Sequence, residues 1–386
     1  MRKVKPLAIP FGLFFLACVV FLNIDMFSST SLMVLPYISY AVLIAGMVVS
    51  YFFNRSKFFF VFLVLVLIQF IFVTAANKAT FEPLYLTVAV LAPLNVWLFS
   101  MLSERSIIST SGAIRISLIL VQVLILIVIA NGGLHLVESF FAVNPMPQVA
   151  IVCFLVVFMY LMRSKAQHEH FRNSIVVVLL SLFALFSFKN SITLAVPIFL
   201  TVSGIVLVSS LVSESYSMAY LDELTGLPAR RALKEAMANL RGKYVIAMAD
   251  IDHFKKINDN YGHDTGDDVL RHVGSVLSRS AAEGKVFRSG GEEFVLLFPG
   301  KELSQMKSLL EDTRKAVEEK EFFIRGANGK NGVSRGKSSS RGITVTVSIG
   351  AAEKSERNRT PEKVLKAADS AMYNAKNNGR NQVVCV

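Results

Sequence analysis

Apolar residues are distributed very unevenly along this chain of 386 residues. Up to about Val212 they form eight near-continuous runs, at Leu7–Leu22, Leu32–Phe53, Phe58–Ala76, Leu84–Leu102, Ala113–Ala130, Pro147–Met162, Ser174–Phe188 and Ile192–Val212. A helix needs roughly 20 residues to cross the hydrocarbon layer. The runs therefore predict an α-helical membrane bundle of about eight spans, of which the first, sixth and seventh are short. Beyond Val212 the pattern becomes that of an ordinary water-soluble domain. Residues 213–221 contain neither proline nor glycine, so the last helix is expected to continue as a junction between a membrane domain at 1–212 and a soluble domain at 222–386.

In the soluble part, Tyr244–Ile251 reads as a buried strand ending in a carboxylate, Asp250. Lys285–Phe287 and Phe294–Phe298 flank Gly290-Gly291 and read as a hairpin, because glycine accepts positive φ at no steric cost. Helices are expected over Ala229–Arg241, Asp268–Ser280, Glu302–Glu319 and Pro361–Asn377. Further strands are expected near Phe322, over Ile343–Ile349 and at the C-terminal end. This mixture predicts an α+β sheet with helices on one face.

Composition sharpens the division. The chain is 53% hydrophobic and 18% charged, with mean hydropathy +0.52, outside the soluble norm. With eight spans, one side carries Arg2, Lys3, Lys5, Arg55, Lys57, Arg105, Arg115, Arg163, Lys165 and Arg172, and the other only Lys78 and Lys189. The positive-inside rule then places the N-terminus, and with it the C-terminal domain, in the cytoplasm. No small-residue cleavage site follows Leu22, so the first run is expected to be a retained signal anchor. The spans hold few ionisable residues, which argues against a transporter. The longest external connection, Asn131–Pro147, is the candidate for a ligand pocket. His168-Glu169-His170 lacks a third protein ligand and reads as a solvated loop rather than a metal site. The net charge of +12 is not gathered in a basic stripe with interleaved aromatics, so a nucleic-acid partner is not expected. Three cysteines, two in apolar runs, give no disulfide framework.

The candidate chemistry centres on Arg288-Ser289-Gly290-Gly291-Glu292-Glu293-Phe294, a bare turn carrying two carboxylates. Alone it is a weak motif. Combined with Asp250 on the neighbouring strand, it supplies hard oxygen ligands of the kind Mg²⁺ takes, few in number and completed by water and phosphates. Lys255, Lys376 and Arg380 can pair with phosphate oxygens. Asn258 and Asp267 offer an amide and a carboxylate able to read the edge of guanine. These residues indicate a nucleoside triphosphate with Mg²⁺ and phosphoryl or nucleotidyl transfer. Asp222 and Thr225 are expected to organise a turn and cap the helix that follows. His253 and His272 are expected at the surface, and Asp252 in solvent.

The segment from Leu221 to Val386 resembles a GGDEF-domain diguanylate cyclase. The resemblance rests on six motifs in order: Asp222-Glu-Leu-Thr-Gly-Leu-Pro, Asp250-Ile-Asp-His-Phe-Lys-Lys-Ile-Asn-Asp, Gly262-His-Asp-Thr-Gly-Asp267, Gly290-Gly-Glu-Glu-Phe294, Val347-Ser-Ile-Gly-Ala and Ala371-Met-Tyr-Asn-Ala-Lys376-Asn-Asn-Gly-Arg380-Asn. It implies a palm-like (ferredoxin-like, adenylyl-cyclase-like) domain that condenses two GTP into cyclic di-GMP with release of two pyrophosphates. By position, Asp250, the Ile251 carbonyl, Glu292 and Glu293 would hold Mg²⁺, with Mn²⁺ as an alternative. Glu292 would take the proton of the attacking 3′-hydroxyl, and Lys255 would stabilise charge on the phosphates. Asn258 and Asp267 would bind guanine, with His263 near the ribose and base and Gly290 and Gly291 under the nucleotide. Lys376 and Arg380 would contact the terminal phosphates. Each domain holds one GTP, so a homodimer is implied, in a bacterial inner membrane with the catalytic domain cytoplasmic. The alternative is a non-catalytic GTP-binding or interaction module.

Three departures stand out. Members inhibited by their product carry Arg-x-x-Asp five residues before the signature; here Ala281-Ala282-Glu283-Gly284 occupies those positions, which predicts no product inhibition through that site. Ser289 replaces a common aromatic residue, and Ala229 a common asparagine. The stretch 326–342, rich in Gly, Ser, Lys and Arg, reads as a solvated basic loop.

Overall fold

A computed structural model describes residues 8–75, 81–131, 148–163, 169–281, 283–324 and 341–386. Arg2, Lys3, Lys5, Lys78, Lys165, His168 and Ala282 lie outside the described residues, as do 132–147 of the external connection and 326–340 of the basic loop. The chain divides into two compact units, Met1–Ser215 and Tyr216–Val386.

Among its described residues the first unit is built of helices and short turns, with no strand. Its helices are α1 (Ala8–Leu22), α2 (Ser29–Phe52), α3 (Ser56–Ala75), α4 (Phe81–Met101), α5 (Thr110–Ala130), α6 (Gln148–Arg163), α7 (Glu169–Ser187) and α8 (Ile192–Tyr220). Among the described residues, six of them, α2 to α5, α7 and α8, are long and apolar enough to cross a membrane. The other two, α1 and α6, have only 15 and 16 residues. The core lies on α3, α4, α7 and α8, whereas α2 and α5 turn most of their apolar side chains outward. In water such faces would be a liability; against lipid tails they are what the solvent requires. Some polar groups inside the bundle pair across helices, as in Ser39 Oγ to Gln69 Oε1 at 2.6 Å and the reciprocal Asn95–Gln122 bonds at 2.8 and 3.0 Å. α8 runs without a break to Tyr220.

The second unit contains α9 (Arg230–Ala238), β1 (Tyr244–Ile251), α10 (Phe254–Tyr261), α11 (His263–Ser280), β2 (Lys285–Gly290), β3 (Glu293–Pro299), α12 (Leu303–Glu319), β4 (Phe322–Ile324), β5 (Arg341–Ile343), β6 (Val347–Glu353), α13 (Pro361–Asn377) and β7 (Val383–Cys385). The main sheet has the order β2-β3-β1-β6-β7 and is antiparallel except for the β6–β7 pair. β4 and β5 form a separate two-stranded ribbon.

Helices cover both faces of this sheet, not the one face expected. Val245, Ala247, Ala249 and Ile251 of β1 pack with Val269, Val273 and Leu277 of α11 and Leu310 of α12. The alternate residues Tyr244, Ile246 and Met248 pack with Leu233 and Met237 of α9 and Val364, Ala368 and Met372 of α13. All eight residues of β1 are buried, which is why the strand reads as a continuous apolar run rather than an alternating one. Two further expectations change. The run Ile343–Ile349 is broken, because the chain passes there from the small ribbon to the main sheet. The helix expected from Asp268 begins at His263, preceded by the unanticipated α10.

Candidate active site

The carboxylate end of the site is built by register. Antiparallel pairing sets Asp250, the penultimate residue of β1, opposite Glu293 on β3 and opposite Ser348 on β6. Gly290 pairs with Glu293, so the hairpin turn itself is Gly291-Glu292. Gly291 sits at φ 50°, and a Cβ there would meet nothing within 4 Å. The turn therefore needs glycine for its backbone and leaves that backbone open to a ligand. Ile251 ends β1 with its side chain in the core, so only its backbone could serve a ligand.

Lys376 reaches this group from the sheet's helical cover. Its Nζ lies 2.8 Å from Asp250 Oδ1. The approach depends on Gly350 of β6, where a Cβ would stand 2.0 Å from Met372 N and 2.2 Å from Ala368 O. With no side chain between them, α13 lies directly on the strand. Thr360 starts that helix by accepting a hydrogen bond from Lys363 N, and Pro361 fills its first turn.

The electrostatics are those of crowded carboxylates. Burial pushes the Asp250 carboxyl above its ordinary value; the Lys376 ammonium pulls it down, and the charges of Asp252 and Asp369 push it up. Burial, then the charge of Asp250, raises Glu292 and Glu293 as well. Asp250 Oδ1 is buried and, although ion-paired with Lys376, has no aligned hydrogen bond. A buried hard oxygen whose one partner is the Lys376 ammonium, beside two half-buried carboxylates, fits a divalent cation. Among the described residues no three Asp, Glu, His or Cys side chains gather into a metal cluster, so any ion would take few protein ligands and complete its shell elsewhere.

Arg288 holds the hairpin in place. Its Nη1 donates to Asp222 Oδ1 at 2.8 Å, while Nη2 and Nε donate to the Gly291 carbonyl at 2.7 and 3.2 Å. Asp222 Oδ1 also accepts from the N–H and hydroxyl of Thr225, at 2.8 and 2.7 Å. Burial pushes Asp222 up, but the Arg288 and Thr225 bonds outweigh it and leave the carboxyl below its ordinary value. Asp222 and Thr225 thus organise the expected turn, yet they do not cap α9. Ala229 stands at that helix's N-cap, with extended backbone and no side-chain bond.

The other candidates lie on α10, α11 and the loop after α13. Asn258 Oδ1 is buried against Gly266 without a hydrogen-bond partner. Lys255, His263, Asp267 and Arg380 are exposed. The structure thus brings Asp250, Glu292, Glu293 and Lys376 together and leaves Lys255, His263, Asp267 and Arg380 as exposed groups and Asn258 as a half-buried one on neighbouring elements. Asp252 is not in solvent: it is 5% exposed and hydrogen-bonded on both oxygens. His253 is exposed, and His272 is half-buried with Nε2 3.1 Å from the Lys320 carbonyl. The sequence reading missed Arg288 as the brace of the hairpin and Asp369 as a charge acting on Asp250. Arg288, four residues before the first carboxylate of the hairpin, carried no distinguishing signal.

Residues 219–382 match the family described as "Diguanylate cyclase, GGDEF domain". The second unit carries a GGDEF domain. The GGDEF segment is 38% identical over 178 residues to the response regulator PleD of Caulobacter vibrioides, covering 44% of this chain and 37% of that protein. It is 37% identical over 170 residues to the diguanylate cyclase VdcA of Vibrio cholerae, covering 43% of this chain and 47% of VdcA. Among solved structures, the coiled coil and GGDEF domain of DgcB from Caulobacter crescentus, in complex with c-di-GMP, aligns at 31% identity with a TM-score of 0.40, over 46% of this chain and 91% of that one. The chain spans less than half the length of the two curated relatives.

Proposed function

We propose that the protein is a membrane-anchored diguanylate cyclase that joins two GTP molecules into cyclic di-GMP and releases two pyrophosphates. The observation that carries this reading is the group in which Lys376 lies 2.8 Å from Asp250, with Glu293 opposite Asp250 in register and Glu292 in the adjoining turn, at the edge of a domain with GGDEF relatives. Asp250, Glu292, Glu293 and the Ile251 carbonyl would hold a divalent cation, Mg²⁺ or Mn²⁺, which when bound would offset the carboxylate charge and polarise the nucleotide phosphates. Glu292, raised by burial and by Asp250, is suited to accept the proton of a 3′-hydroxyl. Lys255, Lys376 and Arg380 would neutralise charge on the phosphates as pyrophosphate leaves. Asn258 would meet the guanine edge with its unpartnered amide, Asp267 would accept from the guanine N–H groups, and His263 would flank the ribose. Gly290 and Gly291 let the nucleotide lie close to the hairpin.

One domain supplies one GTP, so two copies must face each other. The apolar helices anchor the chain in an inner membrane, with the GGDEF domain in the cytoplasm, and would govern when two copies meet. Incubating the full chain with GTP and Mg²⁺, followed by product chromatography, tests the proposal. Cyclic di-GMP and pyrophosphate are expected. Absence of the product even when the chain is forced to dimerise overturns it.

A further inference from the structure

Four non-glycine residues lie at positive φ among the described residues, and three of them adjoin one carboxylate. His253 (φ 58°) follows Asp252 in sequence, and Arg380 (62°) and Asn381 (44°) lie in the segment bonded to it. The left-handed region is sterically costly for an ordinary residue, so consecutive residues stay there only if their surroundings hold them.

The holding bonds can be followed outward from Asp252. Its Oδ2 accepts from Asn381 N at 3.0 Å and from the Thr346 hydroxyl at 2.8 Å; its Oδ1 accepts from the Ser348 hydroxyl at 2.7 Å. The Asn381 side chain accepts from Arg314 Nη1 and donates to Glu318 Oε1. Arg314 is itself buried and ion-paired with Glu311 at 2.8 Å and Glu318 at 2.6 Å. The Arg380 N–H donates to the Ala375 carbonyl at 3.0 Å, one residue before Lys376. The backbone around Arg380 is therefore bonded on both sides, while its guanidinium stays exposed and makes no bond among the described residues.

We infer that Asp252 and Asn381, backed by Arg314, are positioning residues that fix Arg380 toward the terminal phosphates of the nucleotide. The inference rests on the functional reading above. Its logic is pre-organisation: a long cation on a locked backbone loses less freedom when it meets a phosphate.

The test uses the full chain in detergent and two probes that cannot cyclise because they lack the attacking hydroxyl, 3′-deoxy-GTP and 3′-deoxy-GMP. The wild-type chain should prefer the triphosphate. Asn381→Gly tolerates the positive φ but removes the side-chain bonds. It should lose about tenfold of that preference, equivalent to about 1.4 kcal/mol, with the monophosphate affinity little changed. Asp252→Ala should do the same. Asp252→Asn should restore the preference, since it keeps an acceptor for the Asn381 N–H. Arg380→Ala should lose the same preference, and adding Asn381→Gly to it should lose nothing more. An intact preference in Asn381→Gly, or additive losses in the double variant, overturns the inference while cyclic di-GMP synthesis stands. A wild-type chain indifferent to the triphosphate overturns the functional reading with it.

Discussion

At the scale of single residues, the site is a compromise between folding and chemistry. Asp250, Glu292 and Glu293 are each pushed above their ordinary values, first by burial and then by neighbouring carboxylates: Asp252 and Asp369 act on Asp250, and Asp250 acts on both glutamates. A carboxyl raised in the folded state contributes stability that is complete below its unfolded pKa, about 4, and is lost as pH rises through the folded value. At neutral pH and without a cation the group therefore weighs against the fold. Glu292→Gln should abolish cyclic di-GMP formation, and calorimetry at pH 7 should find the metal-free variant at least as stable as wild type. A lower melting temperature would mean that Glu292 has a structural role. Asp222 runs the other way. Its depressed carboxyl contributes stability above about pH 4 that is lost as pH falls through the depressed value. Arg288→Ala removes the partner of Asp222 and two bonds to the Gly291 carbonyl, and should cost roughly 1–3 kcal/mol at pH 7. That cost should shrink in acid, when Asp222 is protonated, and denaturant titrations at the two pH values would measure it. Turnover should fall as well, because Arg288 holds the turn that carries Glu292.

At the scale of elements, what could be read from the sequence depended on how local the cause was. β1 and α13 were legible because an uninterrupted apolar run and a proline-started amphipathic stretch fix them locally. Asp250, Glu292 and Glu293 could be named from a strand end and a turn. Helices on both faces were not legible, since the alternate residues of β1 choose different partners through tertiary packing alone. The role of Asp252 was hidden for the same reason: its partners Thr346, Ser348 and Asn381 lie 94 to 129 positions away. Gly350 looked like one residue of a motif until α13 was found resting on its Cα. The helix expected from Ala229 begins at Arg230, and Ala229 stands as its N-cap with no acceptor to offer. Ala229→Ser should stabilise the domain by about 0.5–1 kcal/mol, read as a raised denaturation midpoint at unchanged slope. Cyclase rate per folded molecule should stay the same, because α9 carries none of the groups assigned to the nucleotide. A variant no more stable than wild type would show that the exposed N–H groups of α9 are already satisfied by water.

At the scale of the whole molecule, the proposed reaction would demand more than one chain. Cyclic di-GMP contains two phosphodiester bonds, and under the proposed function the assigned groups would make up one half-site: one set of carboxylates, one Lys376 and one Arg380. Each 3′-hydroxyl needs its own base, so a pair with one intact and one disabled chain should form a single bond. Co-expressing wild-type and Glu292→Gln chains with different affinity tags, then purifying through both, isolates that mixed pair. Given GTP, it should accumulate the linear dinucleotide that keeps one 5′-triphosphate, with one pyrophosphate released per dinucleotide. Wild-type pairs should release two and close the ring. Cyclic product from the mixed pair at half the wild-type rate would instead mean that one Glu292 serves both bonds in turn. The measurement also bears on the apolar helices of the first unit. Helices that hold chains together in the membrane keep two tags on one complex through dilution in detergent. Chains that meet only through nucleotide should exchange partners, and the mixed pair should then lose its linear product as wild-type chains are added.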